Sequence, residues 1–567
     1  MTSNNPVRDA AAQVREMILA ALEAAVKAQE LPEAEIPAFA VEIPADTSHG
    51  DFASNIAMAG ARAFRCAPPK IASAILNHLD FSNTWFTRAE SAGPGFLNFF
   101  LKPKWFAAVV ESIDTLGEAF GRTETGGGKK VMVEFVSANP TGPMHMGNAR
   151  GGAIGDALAA ALDAAGYDVT REFYINDAGN QIEKFALSLN VRYLQHYQGE
   201  EAHPFPEDGY QGEDIKDRVK EFAAIHGDKF LHTSEEERRQ VLVDYALPKN
   251  IQAMKDDLSH YRIRYDRWFH ESSLYEKGLV DKVVGILTDK GLTYEKEGAL
   301  WYRASEFGAE KDEVLIRGNG NATYFAADIA YHYDKFALRG FDTVIDVWGA
   351  DHHGHVARLK GAMDAAGLSG DALDIVLMQL VRLMKDGEPY RMSKRSGRSV
   401  TLRDLLDDVE VDAARFFFNM QSPGSSMDFD LDLAVEQSSQ NPVYYVQYAH
   451  ARICSILRKL EEGGVTPRKV TQEELLLLSA PEEIALIRRL AQLPGEIISV
   501  TERYDPSALT HYVTDLANLF HKFYGACRVN VPEEEPLMQA RLCLCLCVRT
   551  ALANTLRLLG IDAPESM

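Results

Sequence analysis

Two short stretches, far apart in the chain, carry residue types suited to holding phosphate. In His145-Met-Gly-Asn148 the imidazole can donate to a phosphate oxygen, and the glycine lets a nucleobase or ribose lie against bare backbone. In Arg391-Met-Ser-Lys-Arg-Ser-Gly-Arg398 the cations Arg391, Lys394, Arg395 and Arg398 surround Gly397, a composition that suits a mobile loop closing on pyrophosphate. Singly, the first reads equally as a structural histidine and the second as a charged surface loop. Present together in this order, they point to a site that handles a nucleoside triphosphate.

The surrounding elements fit that task. Residues 131–136 read as a short buried strand, apolar and preceded by Lys129-Lys130. Asn139-Pro-Thr-Gly-Pro143 is a stiff turn. Residues 149–165 read as a helix, with Gly166 where a left-handed C-cap belongs. Gly151, Gly152, Ala153, Gly155 and Ala157 in its first turns allow close approach to a sheet or ligand. Residues 168–175 read as a second strand. Strand, helix, strand predicts a right-handed parallel crossover. Ligands bind at the carboxyl edge of such a sheet, where the first helix amides favour phosphate. The parallel pattern resumes at Thr323-Tyr-Phe-Ala-Ala-Asp328 and at residues 342–348. Residues 383–392 read as a hairpin with Asp386-Gly387 at its tip.

The expected fold class is therefore α/β: a Rossmann-like parallel-sheet catalytic domain with an N-terminal α+β domain and an all-helical C-terminal domain. The expected boundaries are 1–118 for the first module and 129–390 for the catalytic domain, interrupted by an insertion over about 185–300. Residues 391–432 hold the mobile phosphate-suited loop and connecting helices, and 433–567 the helical domain.

With 567 residues, 46% apolar and 25% charged, the composition is that of a soluble globular protein. A net charge of −23 argues against a uniformly basic nucleic-acid binder. Local basic groups (Arg452, Arg458 and Lys459; Arg488 and Arg489) read either as a binding stripe or as solvated helix faces. Residues 536–560 are the most apolar long stretch, but Arg541, Arg549 and Arg557 make a packed helix the better reading than a membrane span. Met1-Thr-Ser-Asn-Asn lacks the plan of a signal peptide, so a cytoplasmic location is expected. Cys543, Cys545 and Cys547 point in different directions on a helix, with no Cys-x-x-Cys pair. They read as small buried hydrophobes rather than metal ligands.

The two phosphate-suited motifs resemble the hallmark pair of class I aminoacyl-tRNA synthetases. His145-Met-Gly-Asn148 is similar to H-I-G-H, and Arg391-Met-Ser-Lys-Arg395 to K-M-S-K-S. Longer stretches resemble bacterial arginyl-tRNA synthetases: Ser137-Ala-Asn-Pro-Thr-Gly-Pro143, Phe173-Tyr-Ile-Asn-Asp-Ala-Gly179, Trp348-Gly-Ala-Asp-His-His-Gly354 and Gln440-Asn-Pro-Val-Tyr-Tyr-Val-Gln-Tyr-Ala-His450. The likeness spans essentially the whole chain.

The resemblance implies ATP-dependent attachment of arginine to tRNA(Arg) through an arginyl-adenylate. His145, Gly147, Asn148 and Lys394 would be catalytic, with Arg391, Met392 and Ser393 joining them around ATP. Asn139, Asp168, Tyr324, Asp328 and His352 would bind arginine, with Asn176, Asp177 and Gln181 lining the site. Tyr444, Tyr448, His450 and Arg452, on one face of a helix, would meet unstacked anticodon bases. ATP would enter as a substrate carrying Mg2+, with no protein-bound metal or prosthetic group, no membrane partner, and a monomeric enzyme. Three positions depart from the family's motifs. Asn148 replaces a histidine and cannot carry a proton, Arg391 replaces a lysine, and Arg395 replaces a serine.

Simpler readings stand beside these. Asp328 also reads as a helix N-terminal acid, His352, His353 and His355 as a metal cluster, and Asn176-Asp177 as a turn. A nucleotide-dependent oxidoreductase is the rival class, but Gly147, Gly151, Gly152 and Gly155 do not spell G-x-G-x-x-G. A non-catalytic tRNA-binding relative would not need His145, Gly147 and Lys394 together.

Overall fold

The computed structural model describes residues 3–390 and 400–567. The chain opens with the Pro6–Lys27 helix, capped by the Asn5 side chain and buried along Val14, Met17, Ile18 and Ala21. Strands β1 (Val41–Glu42), β2 (Phe52–Ser54), β3 (Phe86–Ala92) and β4 (Phe96–Leu101) form an antiparallel sheet in the order β1-β2-β4-β3. Phe86 meets Phe52 and Phe99 edge to face behind it.

The central sheet begins with β5 (Lys130–Glu134) and β6 (Asp168–Ile175), joined by the Met146–Ala164 helix, and continues with β7 (Arg267–His270). Strands β8 (Thr293–Lys296), β9 (Ala299–Tyr302) and β10 (Glu313–Ile316) make a separate antiparallel sheet. The chain then returns to the central sheet with β11 (Thr343–Gly349) and β12 (Leu373–Met378). All five central strands run parallel, in the order β12-β11-β5-β6-β7. From β5 the chain moves out one side to β6 and β7, then returns to build β11 and β12 on the other. The strand order therefore reverses between β5 and β11, which is where open α/β sheets form a ligand crevice.

The crossover helix sits hard against this sheet because its glycines permit it. A Cβ on Gly155 would fall 2.2 Å from the Phe135 ring, and one on Gly152 would fall 2.7 Å from Ile263. Gly166 closes the connection with φ of 87°. Beyond β12, the β13 (Val381–Lys385) and β14 (Glu388–Pro389) hairpin pairs with β15 (Met427–Asp430).

Two sequence expectations are corrected. Thr323-Tyr-Phe-Ala-Ala-Asp328 is not a strand: Tyr324–Tyr333 is a helix, capped by Thr323 Oγ1 accepting from the Ala326 amide. The short apolar run carried no period long enough to separate the two states. Residues 185–300 are not one insertion either, because β7 lies among them and pairs in register with β6. What stands apart is a helical cluster of Asn180–Gln198, Glu213–His226 and Glu235–His260 around Phe185, Tyr193 and Phe222.

The C-terminal region is helical, from Pro442–Glu462 to Glu535–Leu558. By length and composition alone the last helix could cross a membrane. Here it is a core helix, with Leu544, Cys545, Val548, Leu552 and Leu556 inaccessible to solvent. All six cysteines are free thiols.

Candidate active site

The crevice at the strand reversal opens into a cavity of about 1410 Å³, lined by Asn139, His145, Gly147, Asn148, Gly349 and Gln379 among others. His145 ends the turn after β5, and its amide donates to Asn148 Oδ1 at 2.9 Å while the Asn148 amide donates to His145 O at 2.9 Å. Asn148 thus acts as a neutral helix cap, which an amide does as well as any charged group. A Cβ on Gly147 would meet nothing within 4 Å. Packing within the protein does not require that glycine, so the space it leaves belongs to whatever fills the cavity. The helix dipole makes the N-terminus facing this space favourable for an anion.

Arg391, Met392, Ser393 and Lys394 lie outside the described residues. The residues flanking them, Tyr390 and Val400, both line this cavity. The Met146 amide donates to Val400 O at 3.0 Å, the Leu402 amide donates to Met144 O at 2.9 Å, and Thr401 forms a bridge with His145. The chain therefore leaves and re-enters the described structure at the rim of one cavity, beside the histidine.

A second cavity of about 680 Å³ adjoins the first, sharing Ser137 and His352 with it. Its lining sets the carboxylates of Glu134, Asp312, Glu313, Asp328 and Asp346 against Lys311, Arg317 and Arg358. Asp328, one turn along the Tyr324–Tyr333 helix from Tyr324, accepts from His355 Nε2 at 3.0 Å. Glu134, at the end of β5, accepts from Ser137 Oγ at 2.9 Å and from the buried Lys335 Nζ at 2.6 Å. Lys335 also reaches Asp346 of β11 at 2.9 Å, and His332 binds the other Asp346 oxygen at 2.9 Å. Burial drives Glu134 above its ordinary pKa despite Lys335. Burial is the largest influence on Asp346 and Lys335 and opposes charge on both, but their attraction to each other, together with that of His332 for the acid and of Glu134 for the amine, outweighs it, so the acid is lowered and the amine raised. Lys335 occupies a π-helical turn, Asp334–Leu338, that ends the Tyr324–Tyr333 helix, and wide turns of this kind recur at functional sites.

Glu271, just past β7, is 1% exposed and its carboxyl is pushed up to about 7 by burial first and then by Asp328. The Asn176 amide, turned so that its nitrogen donates to Glu271 Oε2 at 2.7 Å, lies 3.3 Å from the Asn139 amide. Glu134 and Asp346 thus share Lys335, Asp328 pairs with His355, and Glu271 stands behind them with its carboxyl raised. A site with that excess of negative charge, walled by Tyr324, Trp348 and His355, accepts a compact cation whose N–H groups can pair with carboxylates.

Asp168 is not part of this site. It stands exposed at the start of β6, whereas Tyr174 near the end of that strand lines the pocket, so roughly 20 Å of strand separates it from the ligand edge. Asp177 binds His270 Nδ1 at 2.7 Å and the Ser272 amide at 2.9 Å, bracing the loop after β7. His352 is exposed between the two cavities, and among the described residues no group of three or more metal-ligating side chains converges. Glu134, Lys335, Asp346 and Glu271 escaped the sequence reading, although a carboxylate inside the apolar runs of β5 and β11 is itself a signal.

A third cavity, of about 880 Å³, lies in the C-terminal helices between Tyr448, Arg452, Arg458, Tyr524, Arg528 and Met567. The Arg452 guanidinium stands 4.6 Å from the Tyr524 ring centroid and 5.9 Å from that of Tyr448. Tyr444 is half-buried on the same stripe of the Pro442–Glu462 helix. His450 is not on it: it is buried, its Nδ1 lies 2.8 Å from Pro564 O, and burial lowers its pKa. It belongs to the seat of the C-terminal tail.

Fold and site together define a class I tRNA synthetase. Residues 112–424 match the family described as tRNA synthetases class I (R), catalytic domain. Residues 12–101 match the arginyl tRNA synthetase N terminal domain, and 446–567 the DALR anticodon binding domain. Arginine--tRNA ligase of Ruminiclostridium cellulolyticum is 54% identical over 98% of each chain. That of Caldanaerobacter subterraneus is 55% identical over 99% of this chain and 100% of its own. The structure of Thermus thermophilus arginyl-tRNA synthetase superposes with a TM-score of 0.72 at 25% identity, covering 96% of this chain and 99% of that one. The chain belongs to the arginine–tRNA ligase family.

Proposed function

We infer that this protein attaches L-arginine to tRNA(Arg) at the expense of ATP. One observation carries the reading: an acid-lined pocket that suits a guanidinium opens directly onto a nucleotide-sized cavity at a helix N-terminus, with Ser137 and His352 common to both. Asp328 and Tyr324 grip the guanidinium, while Asn139 faces the α-amino end. An oxygen of the arginine carboxylate attacks the α-phosphorus of ATP, which carries Mg2+ on its phosphates. The bond to the β-phosphate oxygen breaks, and pyrophosphate leaves. A terminal ribose hydroxyl of the tRNA then attacks the arginyl carbonyl, and AMP departs. Such transfer needs positioning and charge stabilisation more than covalent help. His145, the helix amides and Lys394 meet the charge that grows on the phosphates.

In this reading Tyr444, Tyr448 and Arg452 meet unstacked anticodon bases, and residues 1–118 touch the outer corner of the tRNA. The enzyme works as a cytoplasmic monomer. The test is charging of bulk tRNA with each labelled amino acid in turn. Arginine alone should be incorporated, and only with ATP present. Incorporation of a different amino acid overturns the pocket assignment.

A further inference from the structure

Among the described residues, two arginines are the largest fully buried side chains, Arg150 and Arg415. Both tie the crossover helix to other elements, but their surroundings differ in one respect. Arg415 has its anion: Nη2 reaches Asp156 Oδ2 at 2.5 Å, while Nε and Nη1 donate to the carbonyls of Leu559 and Tyr261. Arg150 has none. Its Nη1 donates to Gln379 O at 2.8 Å and its Nη2 to Ser422 O at 3.0 Å, and its Nε is buried without a partner. No carboxylate among the described residues offsets the charge, and burial alone acts on it. It also lies near the start of a helix, where the backbone dipole disfavours a cation. A buried charge in that position is costly unless something pairs with it.

Its location says what does. Gln379, which receives one of its hydrogen bonds, lines the nucleotide cavity, as does Gly151, its neighbour in the helix. The Gln379 amide is in turn held by Pro423 O at 3.0 Å. Arg150 therefore fastens the start of the phosphate-facing helix to the β12–β13 link and to the Ser422-Pro423 turn, under the cavity floor.

We propose that Arg150 is a positioning residue for the nucleotide, a buried cation that fixes the cavity floor through Gln379 and Ser422 and whose missing counter-charge is the triphosphate. It touches no substrate; its charge adds to the potential at the helix N-terminus. The inference rests on the larger cavity being the ATP site.

The test compares wild type, Arg150→Met and Arg150→Lys, each as the full chain, titrated with a non-hydrolysable ATP analogue and separately with arginine. Arg150→Met, of similar length and uncharged, should weaken the analogue on the order of tenfold, equivalent to about 1.4 kcal/mol. Arginine affinity should hold, even if the lost bonds to Gln379 and Ser422 lower the unliganded thermal midpoint. Arg150→Lys keeps the charge and should keep most of the analogue affinity. Undiminished analogue binding by Arg150→Met overturns the proposal, as does a parallel loss of both ligands, which marks a scaffold defect. If Arg150→Met does not fold, Arg150→Lys decides: loss of both ligands together overturns the proposal, and retention of both supports it. Wild type that binds no analogue instead defeats the assignment of the cavity to ATP.

Discussion

The acid-lined pocket at the sheet edge and the basic, aromatic cavity of the C-terminal helices hold their charges by different means. In the pocket, Glu134, Asp346, Lys335 and His332 are buried and bonded to one another, so each ion depends on its neighbours. In the C-terminal cavity, Arg452 lies against tyrosine rings, with Arg458 and Arg528 nearby along the wall. A net charge of −23 hides both, because it averages a carboxylate-rich interior with a basic stretch of surface. The first construction gives a preorganised pocket that fails as a unit. The second gives a surface whose contributions are smaller, separable and sensitive to salt.

The largest effect should come from breaking the buried network. Lys335→Met removes the cation and leaves two carboxylates in the interior with only His332 between them. Breaking a buried pair from one side costs on the order of 3–5 kcal/mol. Urea denaturation should show that loss, and arginine binding should fall with it. A loss below about 1 kcal/mol, the scale of a surface pair, would mean that the pocket tolerates its charges separately and would remove the contrast between the regions.

Smaller changes should follow at the C-terminal cavity. Tyr448→Ala should weaken tRNA binding by about 1–3 kcal/mol, the worth of one stacked base. Arg452→Gln should flatten the salt dependence of binding, and neither should alter arginine binding. His450→Gln should cost stability and leave tRNA affinity alone, because its ring faces the tail at Pro564. Filter-binding titrations at two salt concentrations separate these outcomes. Loss of tRNA affinity in His450→Gln with full stability would return that residue to the RNA face.

The same contrast governs what was legible in the sequence. His145, Gly147 and the crossover were legible because turn, helix start and strand lie next to one another in the chain, and local chemistry dictates each. The common stripe of Tyr444, Tyr448 and Arg452 was legible because they repeat every four residues, whereas His450 breaks that spacing and turns inward. Lys335 was not legible: its partners lie on β5 and β11, and only the strand order brings them together. Asp168 was misplaced for the converse reason, since a strand residue belongs to the ligand edge only at its carboxyl end. Tyr324 and Asp328 fell on one face through a helix, although the run that carries them reads as a strand.

The smallest predicted effect is also the most specific to the pocket. Glu271 titrates near 7 because it is buried, with Asp328 and Asp177 as nearby like charges and Tyr174 and Tyr275 beside it. The ordinary value for its carboxyl is 4.5. The folded, empty protein therefore holds a proton that the unfolded chain has released, and the stability this gives is fully present below about 4.5 and lost as pH rises through about 7. A bound cation reverses the preference, since the ionised form attracts it. Unliganded stability should therefore fall from pH 6 to pH 8, while the thermal shift produced by arginine should grow by the equivalent of at most about tenfold in affinity per pH unit. Other groups titrate in the same range, so the informative quantity is the difference from Glu271→Gln, whose side chain keeps its shape and cannot ionise. If wild type and Glu271→Gln show the same pH trend in both measurements, Glu271 is a structural acid, and the pocket's appetite for a cation rests on the carboxylates of its lining.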